Sequence, residues 1–167
     1  MATLDASFDN IFVHPLDTVE QLVELNEWPF DRRNHEEIAV QIPGNWCDYS
    51  LYFAWNDDME AMHFTCAFDM RIASDRREQA SVLLSTINEK LWLGHFCMWG
   101  QEALPMFRAT VLLKGHPGLT VQQAEDLVET AIIECERFYP AFQHVIWGGK
   151  TAKEAVEAAM IETTGEA

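Results

Sequence analysis

The chain has 167 residues, 49% hydrophobic and 23% charged, with 6 Trp and 10 Phe. That is enough for one domain that buries about two thirds of its unfolded surface without disulfides, and it excludes native disorder. Lys and Arg number 11 against 27 Asp and Glu, a formal charge of -16; this field opposes nucleic acid and anionic membranes and favours apolar, hydrogen-bonding or basic guests.

Residues 1–14 read as an N-terminal arm, since Phe8, Ile11, Phe12 and Val13 are too few apolar residues for a stable element. Val19, Leu22 and Val23 recur at helical spacing after the box-like Asp17-Thr18-Val19-Glu20, which predicts a helix over 17–27 that stops at Trp28-Pro29. The period then becomes two. Ile38, Val40 and Ile42 form one strand, ended by the turn dipeptide Pro43-Gly44, and Tyr49, Leu51, Phe53 and Trp55 form the next, ended by Asn56-Asp57-Asp58. Met62, Phe64, Cys66, Phe68 and Met70 make a third apolar row, so the three segments read as an antiparallel meander with one greasy face.

A two-faced helix is expected over 75–92, capped by Ser74-Asp75, with Ala80, Leu83, Leu84, Ile87 and Leu91 on its stripe. Two more strands follow, Gly94 to Trp99 and Phe107 to Leu113, before Gly115-His116-Pro117-Gly118 ends the sheet. Thr120-Val121-Gln122-Gln123 is a capping box for a third helix, which Pro140 is expected to kink or restart and Gly148-Gly149 to stop. Thr151-Ala152-Lys153-Glu154 repeats the box and opens a C-terminal helix with a stripe of small residues.

The expectation is a single α+β domain over 1–167, a five-stranded antiparallel sheet with helices on its greasy face, the segment 151–167 being a terminal helix and tail. The other face would carry Gln41, Ser50, Tyr52, His63, Thr65, Arg108 and Thr110. No apolar run nears the roughly 18 residues that span a bilayer, and Met1-Ala2-Thr3-Leu4-Asp5 lacks the basic start and apolar stretch of a signal peptide. A cytoplasmic protein follows as an expectation, with Cys47, Cys66, Cys97 and Cys135 as free thiols.

Catalytic patterns are weak. Gly149-Lys150-Thr151 is the tail of a phosphate-binding loop, but His144 stands where its first glycine belongs and a helix precedes it. The bland alternative is that Gly148-Gly149 stops the third helix and Lys150 neutralises its carbonyl end. His95 and Cys97 share a face of one strand, with His63 or Cys47 as further candidate ligands, yet no C-x-x-C or H-x-x-x-H spacing supports a metal. None of the cysteines begins a helix, as an activated nucleophile would. Trp28, Phe30, Trp46, Trp99 and Trp147 fall at element ends, where they either close the core or mark a contact patch.

Asn45-Trp46-Cys47-Asp48-Tyr49, Phe68-Asp69-Met70-Arg71, Leu83 through Phe96 and Glu134 through Phe142 resemble the YbjN family, and the likeness spans about residues 15–165. Its members are labelled bacterial sensory transduction regulators, and its fold is similar to that of class I type III secretion chaperones, α-β-β-β-α-β-β-α. The resemblance implies a small, non-enzymatic, dimeric protein that binds other proteins, and it brings neither catalytic residues nor a cofactor. In that fold the second helix and the adjoining strands form the two-fold interface, which makes Leu83, Leu84, Ile87, Leu91 and Trp92 the candidate dimer surface. Trp46, Tyr52, His63 and Arg108 are the candidate surface for a protein or peptide partner. The competing expectation is a ligand- or metal-dependent sensor or enzyme with its site around His63, His95 and Cys97. A DNA-binding regulator is opposed by the charge and by the want of a basic recognition helix.

Overall fold

A computed structural model describes residues 12–164; Phe8 and Ile11 of the predicted arm and the last three residues of the tail lie outside the described residues. The elements run α1 (Pro15–Leu25), β1 (Phe30–Arg32), β2 (Glu37–Pro43), β3 (Asp48–Asn56), β4 (Ala61–Ala67), α2 (Arg77–Asn88), β5 (His95–Trp99), β6 (Leu104–Leu112), α3 (Val121–Ile146) and α4 (Ala152–Thr164). The strands pair antiparallel in the order β1-β2-β3-β4-β6-β5. The described sheet therefore has six strands where five are expected. The addition is β1, Phe30-Asp31-Arg32, which is too short to show alternation and is held as an edge on Val40, Ala39 and Ile38.

Register explains the two faces. Ile38, Phe53 and Phe64 stand in one cross-strand row, and Val40, Leu51, Cys66, Phe107 and Phe96 stand in the next. All are buried, and α1, α2 and α3 contact the sheet from that side. Because side chains alternate along a strand, the intervening residues are driven to the opposite face. Phe96 is the hub of the core, with ring centroids 5.6 Å from Phe107, 5.7 Å from Phe142, and 6.0 Å from both Phe68 and Phe138. Tilted and edge-on pairs of this kind add about 0.5–1.5 kcal/mol each to the burial of the rings themselves.

The helix ends show where local signals win and lose. Thr120 and Gln123 form the expected reciprocal capping box of α3, and Thr151 with Glu154 does the same for α4. In contrast α1 starts two residues before the expected box, with Pro15 in its first turn and His14 Nδ1 accepting the Leu16 N–H. Asp17 and Glu20 instead hold Arg32 of the edge strand, at 3.1 and 2.8 Å. Ser74-Asp75 gives α2 no side-chain cap; a single 3-10 turn leads into a helix that runs only from Arg77 to Asn88. Pro140 does not restart α3, which is one helix through it. Phe138, Tyr139, Ala141 and Phe142 are all buried around it, and that packing outweighs one missing helix hydrogen bond. The carbonyl end of α3 is met by the Lys150 backbone N–H, which donates to the His144 oxygen at 3.0 Å, and by Arg76, whose Nε donates to the Val145 oxygen at 2.8 Å while its Nη2 donates to the Lys150 oxygen at 2.8 Å.

Gly94 brings β5 against β6. Its φ is +70°, and a Cβ there would run into the Phe107 ring and the Arg108 carbonyl oxygen, so only glycine permits the approach. Phe142 lies under the same strands and is fully buried. Phe142→Ala is expected to cost about 3–5 kcal/mol of unfolding free energy, measured as a fall in the urea midpoint, whereas Leu25→Ala, at a largely exposed site at the end of α1, is expected to change it by less than about 0.5 kcal/mol.

Candidate functional site

The residues that alternation expels from the core line a face that no described helix covers. Across the middle of that face runs the row Asp31, Ala39, Tyr52, Thr65, Arg108 and His95, one residue from each strand. The next row places His63 opposite Thr110 on β6 and Ala54 on β3. Tyr52, His63 and Arg108, expected to form a partner surface, thus lie on three neighbouring strands of one face. Trp46 does not join them. It sits in the β2–β3 turn on the helix side, stacked on Tyr139 with centroids 6.0 Å apart.

The bonding within the group determines its protonation. Arg108 Nε and Nη2 lie 3.2 and 3.0 Å from His63 Nε2. A guanidinium can only donate, so Nε2 accepts and carries no proton. The ring proton is then on Nδ1 and is donated to Thr110 Oγ1 at 3.0 Å. Burial first, and then the charges of Arg108 and His95, hold the His63 pKa below its ordinary value. Arg108 also touches Cys97, whose thiol is pushed up by burial and pulled back in part by the guanidinium. At the β1 end, the Arg33 guanidinium lies 5.5 Å over the Tyr52 ring, an attraction between a cation and an aromatic face.

A second cluster lies behind the sheet. Cys66 and Cys135 approach to 3.7 Å between sulfurs, and the Asn45 N–H donates to Glu136 Oε1 at 2.7 Å. Burial raises the pKa of Cys47 and Cys135. The four described cysteines are free, and Cys47, Cys97 and Cys135, held as protonated thiols, are poor nucleophiles. Among the described residues, no group of three or more His, Cys, Asp or Glu converges to hold a metal ion, so His63, His95 and Cys97 do not assemble into one.

The candidate dimer set divides. Leu83, Leu84 and Ile87 are buried in the chain's own core, Leu91 packs half-buried against it, and Trp92 is fully exposed beside Leu93. Sequence reasoning did not find the device next to them. Asn88, the last residue of α2, accepts the Phe96 N–H at 2.7 Å and donates to the Phe96 carbonyl at 3.0 Å. These are the groups that β5, as an edge strand, would otherwise offer to another strand. One asparagine at a helix end carries no sequence signal for such a bond.

A family model described as "Putative bacterial sensory transduction regulator" matches residues 15–144. The crystal structure of YbjN from E. coli is similar at a TM-score of 0.48 and 17% identity, covering 72% of this chain and 90% of that one. The crystal structure of the ExsC-ExsE complex gives 0.46 and 12%, covering 80% of this chain and 97% of that one. No curated protein matches the chain.

His63 supplies a test of the bonding. With its folded pKa depressed, the unfolded chain binds the proton more readily, so stability rises with pH through the window below about 6.5 and is lost as pH falls through it. Arg108→Gln removes the second cause but leaves burial, and is expected to raise the His63 midpoint part of the way back, measured by NMR titration of the ring.

Proposed function

The chain belongs to the YbjN family, and from that membership we propose that it is a non-enzymatic, cytoplasmic regulator or chaperone-like adaptor that binds a polypeptide on its uncovered sheet face and works as a homodimer. The observation that carries this reading is the pairing of an open face with a closed edge. Tyr52, His63, Thr65 and Arg108 form a flat array of hydrogen-bonding groups around an aromatic ring, while Asn88 obstructs strand addition at β5. Recognition by side chains across a face is then more accessible than main-chain recognition along that edge.

Flatness also speaks for a macromolecular guest. The depression at the Tyr52 end, lined by Pro29, Phe30, Asp31, Gln41 and Ser50 among others, is shallow and open, unlike the enclosed clefts that bury most of a small ligand. The free thiols support a reducing compartment. No described helix is long and apolar enough to cross a membrane.

For the homodimer the support is Trp92, which lies fully exposed next to Leu91 and Leu93, with Val82 of α2 and Trp99 of β5 also exposed. An exposed apolar group of this size is characteristic of contact surfaces. Leu83, Leu84 and Ile87 then act from behind, fixing the helix that presents it.

Two measurements test the reading. A photo-crosslinking residue at position 52, introduced in the native cell, is expected to yield a discrete polypeptide adduct, and the same residue at Asp126 on α3 is expected to yield none; equal adducts or no adducts at both positions would refute the docking face. In sedimentation at tens of micromolar the protein is expected to run as a dimer and Trp92→Asp as a monomer, and a wild-type monomer would remove the dimer.

A further inference from the structure

The clearest imbalance on the open face is electrostatic. The chain has 27 acidic residues against 11 basic ones, and most of its described arginines are spent on oxygen. Arg32, Arg33, Arg71 and Arg137 pair with carboxylates, and Arg76 and Arg77 bond backbone carbonyls. Arg108 is the exception. Its Nε and Nη2 are directed at the imidazole of His63, with His95 beside it in the cross-strand row, and no carboxylate pairs with it among the described residues. In so acidic a protein, a guanidinium held against a neutral imidazole lacks the acceptor its fork fits best.

The geometry points to a carboxylate-accepting site at Arg108 and His63, occupied by an Asp or Glu side chain of an extended polypeptide guest. This rests on the reading of the open face as the docking surface and deepens it. The carboxylate takes the place of His63 Nε2 as acceptor for Nε and Nη2 of Arg108. His63 takes a proton from solvent at Nε2 and turns from acceptor to donor toward the same carboxylate, while Nδ1–H keeps its bond to Thr110 Oγ1. Two cations then enclose one anion, and binding consumes one proton.

A polypeptide is favoured over a free anion by shape and by charge. The row Tyr52, Thr65, Arg108 and His95 crosses four neighbouring strands without walls around it, so one carboxylate gains too little there to overcome a field of -16. It needs apolar and hydrogen-bonding neighbours on the same chain, which Tyr52 and Thr65 can meet. The same field selects a guest that is neutral or basic overall and carries its acid locally.

Every charged or titratable group facing His63 acts in a definable way. Arg108 from β6 and His95 from β5 oppose its protonation in the free protein, Cys97 touches Arg108, and Tyr52 on β3 lies under Arg33. Glu37 on β2 stands opposite Ala54, one strand beyond the His63 partner. The α3 helix packs on the other face of β4. A carboxylate set between Arg108 and His63 reverses the balance, so affinity is expected to rise as pH falls toward 6.

The test is an NMR titration of His63 in the full chain with a capped, net-basic peptide that carries one glutamate among apolar and hydroxyl residues, acetyl-Lys-Val-Thr-Glu-Val-Lys-amide, at constant ionic strength. The site is supported if this probe raises the His63 midpoint by about half a pH unit or more while the glutamine analogue does not, and if Arg108→Gln, shown folded by its unfolding midpoint, loses the response. The site is overturned if the glutamate probe leaves His63 unmoved, if the glutamine analogue moves it equally, or if inorganic phosphate moves it further. Cross-linking from position 52 together with an unmoved His63 would sink the carboxylate site alone. A moved His63 with no cross-linking would sustain the carboxylate site while removing the docking face.

Discussion

Phe96 sits where three demands meet. Its ring is the centre of the aromatic core, packed among Phe68, Phe107, Phe138 and Phe142, and its backbone is held on the outer side by Asn88. With one residue of β5 fixed in this way, alternation leaves its neighbours no choice: His95 and Cys97 must face away from the helices. The same constraint applied strand by strand sets Arg108 opposite Phe107 and His63 beside Phe64. The polar face is thus a by-product of how tightly the apolar face is packed, and its geometry inherits the rigidity of the core behind it.

That rigidity gives the Arg108–His63 contact its meaning. Two basic groups on flexible surface chains would move apart, but here both come from adjacent strands in fixed register and the imidazole is held from its other nitrogen by Thr110. The arrangement resolves the conflict by keeping the imidazole neutral. A site of this kind stores a preference for negative charge without displaying two like charges to solvent. It also differs from the cysteine-rich cluster under the sheet, where burial keeps the Cys47 and Cys135 thiols protonated and the Cys66–Cys135 contact joins β4 to α3.

Much of this was legible in the chain because it rests on period and on caps. The rows Tyr49 to Trp55 and Met62 to Cys66 alternate cleanly, and the boxes at Thr120 and Thr151 name their own partners. The open face, with Tyr52, His63, Thr65 and Arg108, followed from the same alternation. What was not legible depends on distant partners. Three residues of β1 carry no period, and only the Arg32 ion pairs with α1 and the pairing with β2 make them a strand. Pro140 reads as a breaker until the packing of Phe138 and Phe142 on either side is known. The set Leu83, Leu84 and Ile87 reads as a surface or a core with equal ease, because a wide apolar stripe does not say which neighbour it meets. Trp46 looked like part of a contact surface by residue type, yet the turn that carries it bends toward α3.

The Asn88 clamp has a consequence for how the protein can exist at high concentration. A sheet with one bare flank and an uncovered face is normally at risk of stacking into cross-β assemblies, because each added chain completes the hydrogen bonds of the last. Here the side-chain amide of a helix terminus imitates the missing strand for one residue, and the electrostatic repulsion between copies discourages what remains. The molecule can therefore keep its polar face open to water while its β5 edge is a poor template for fibrils.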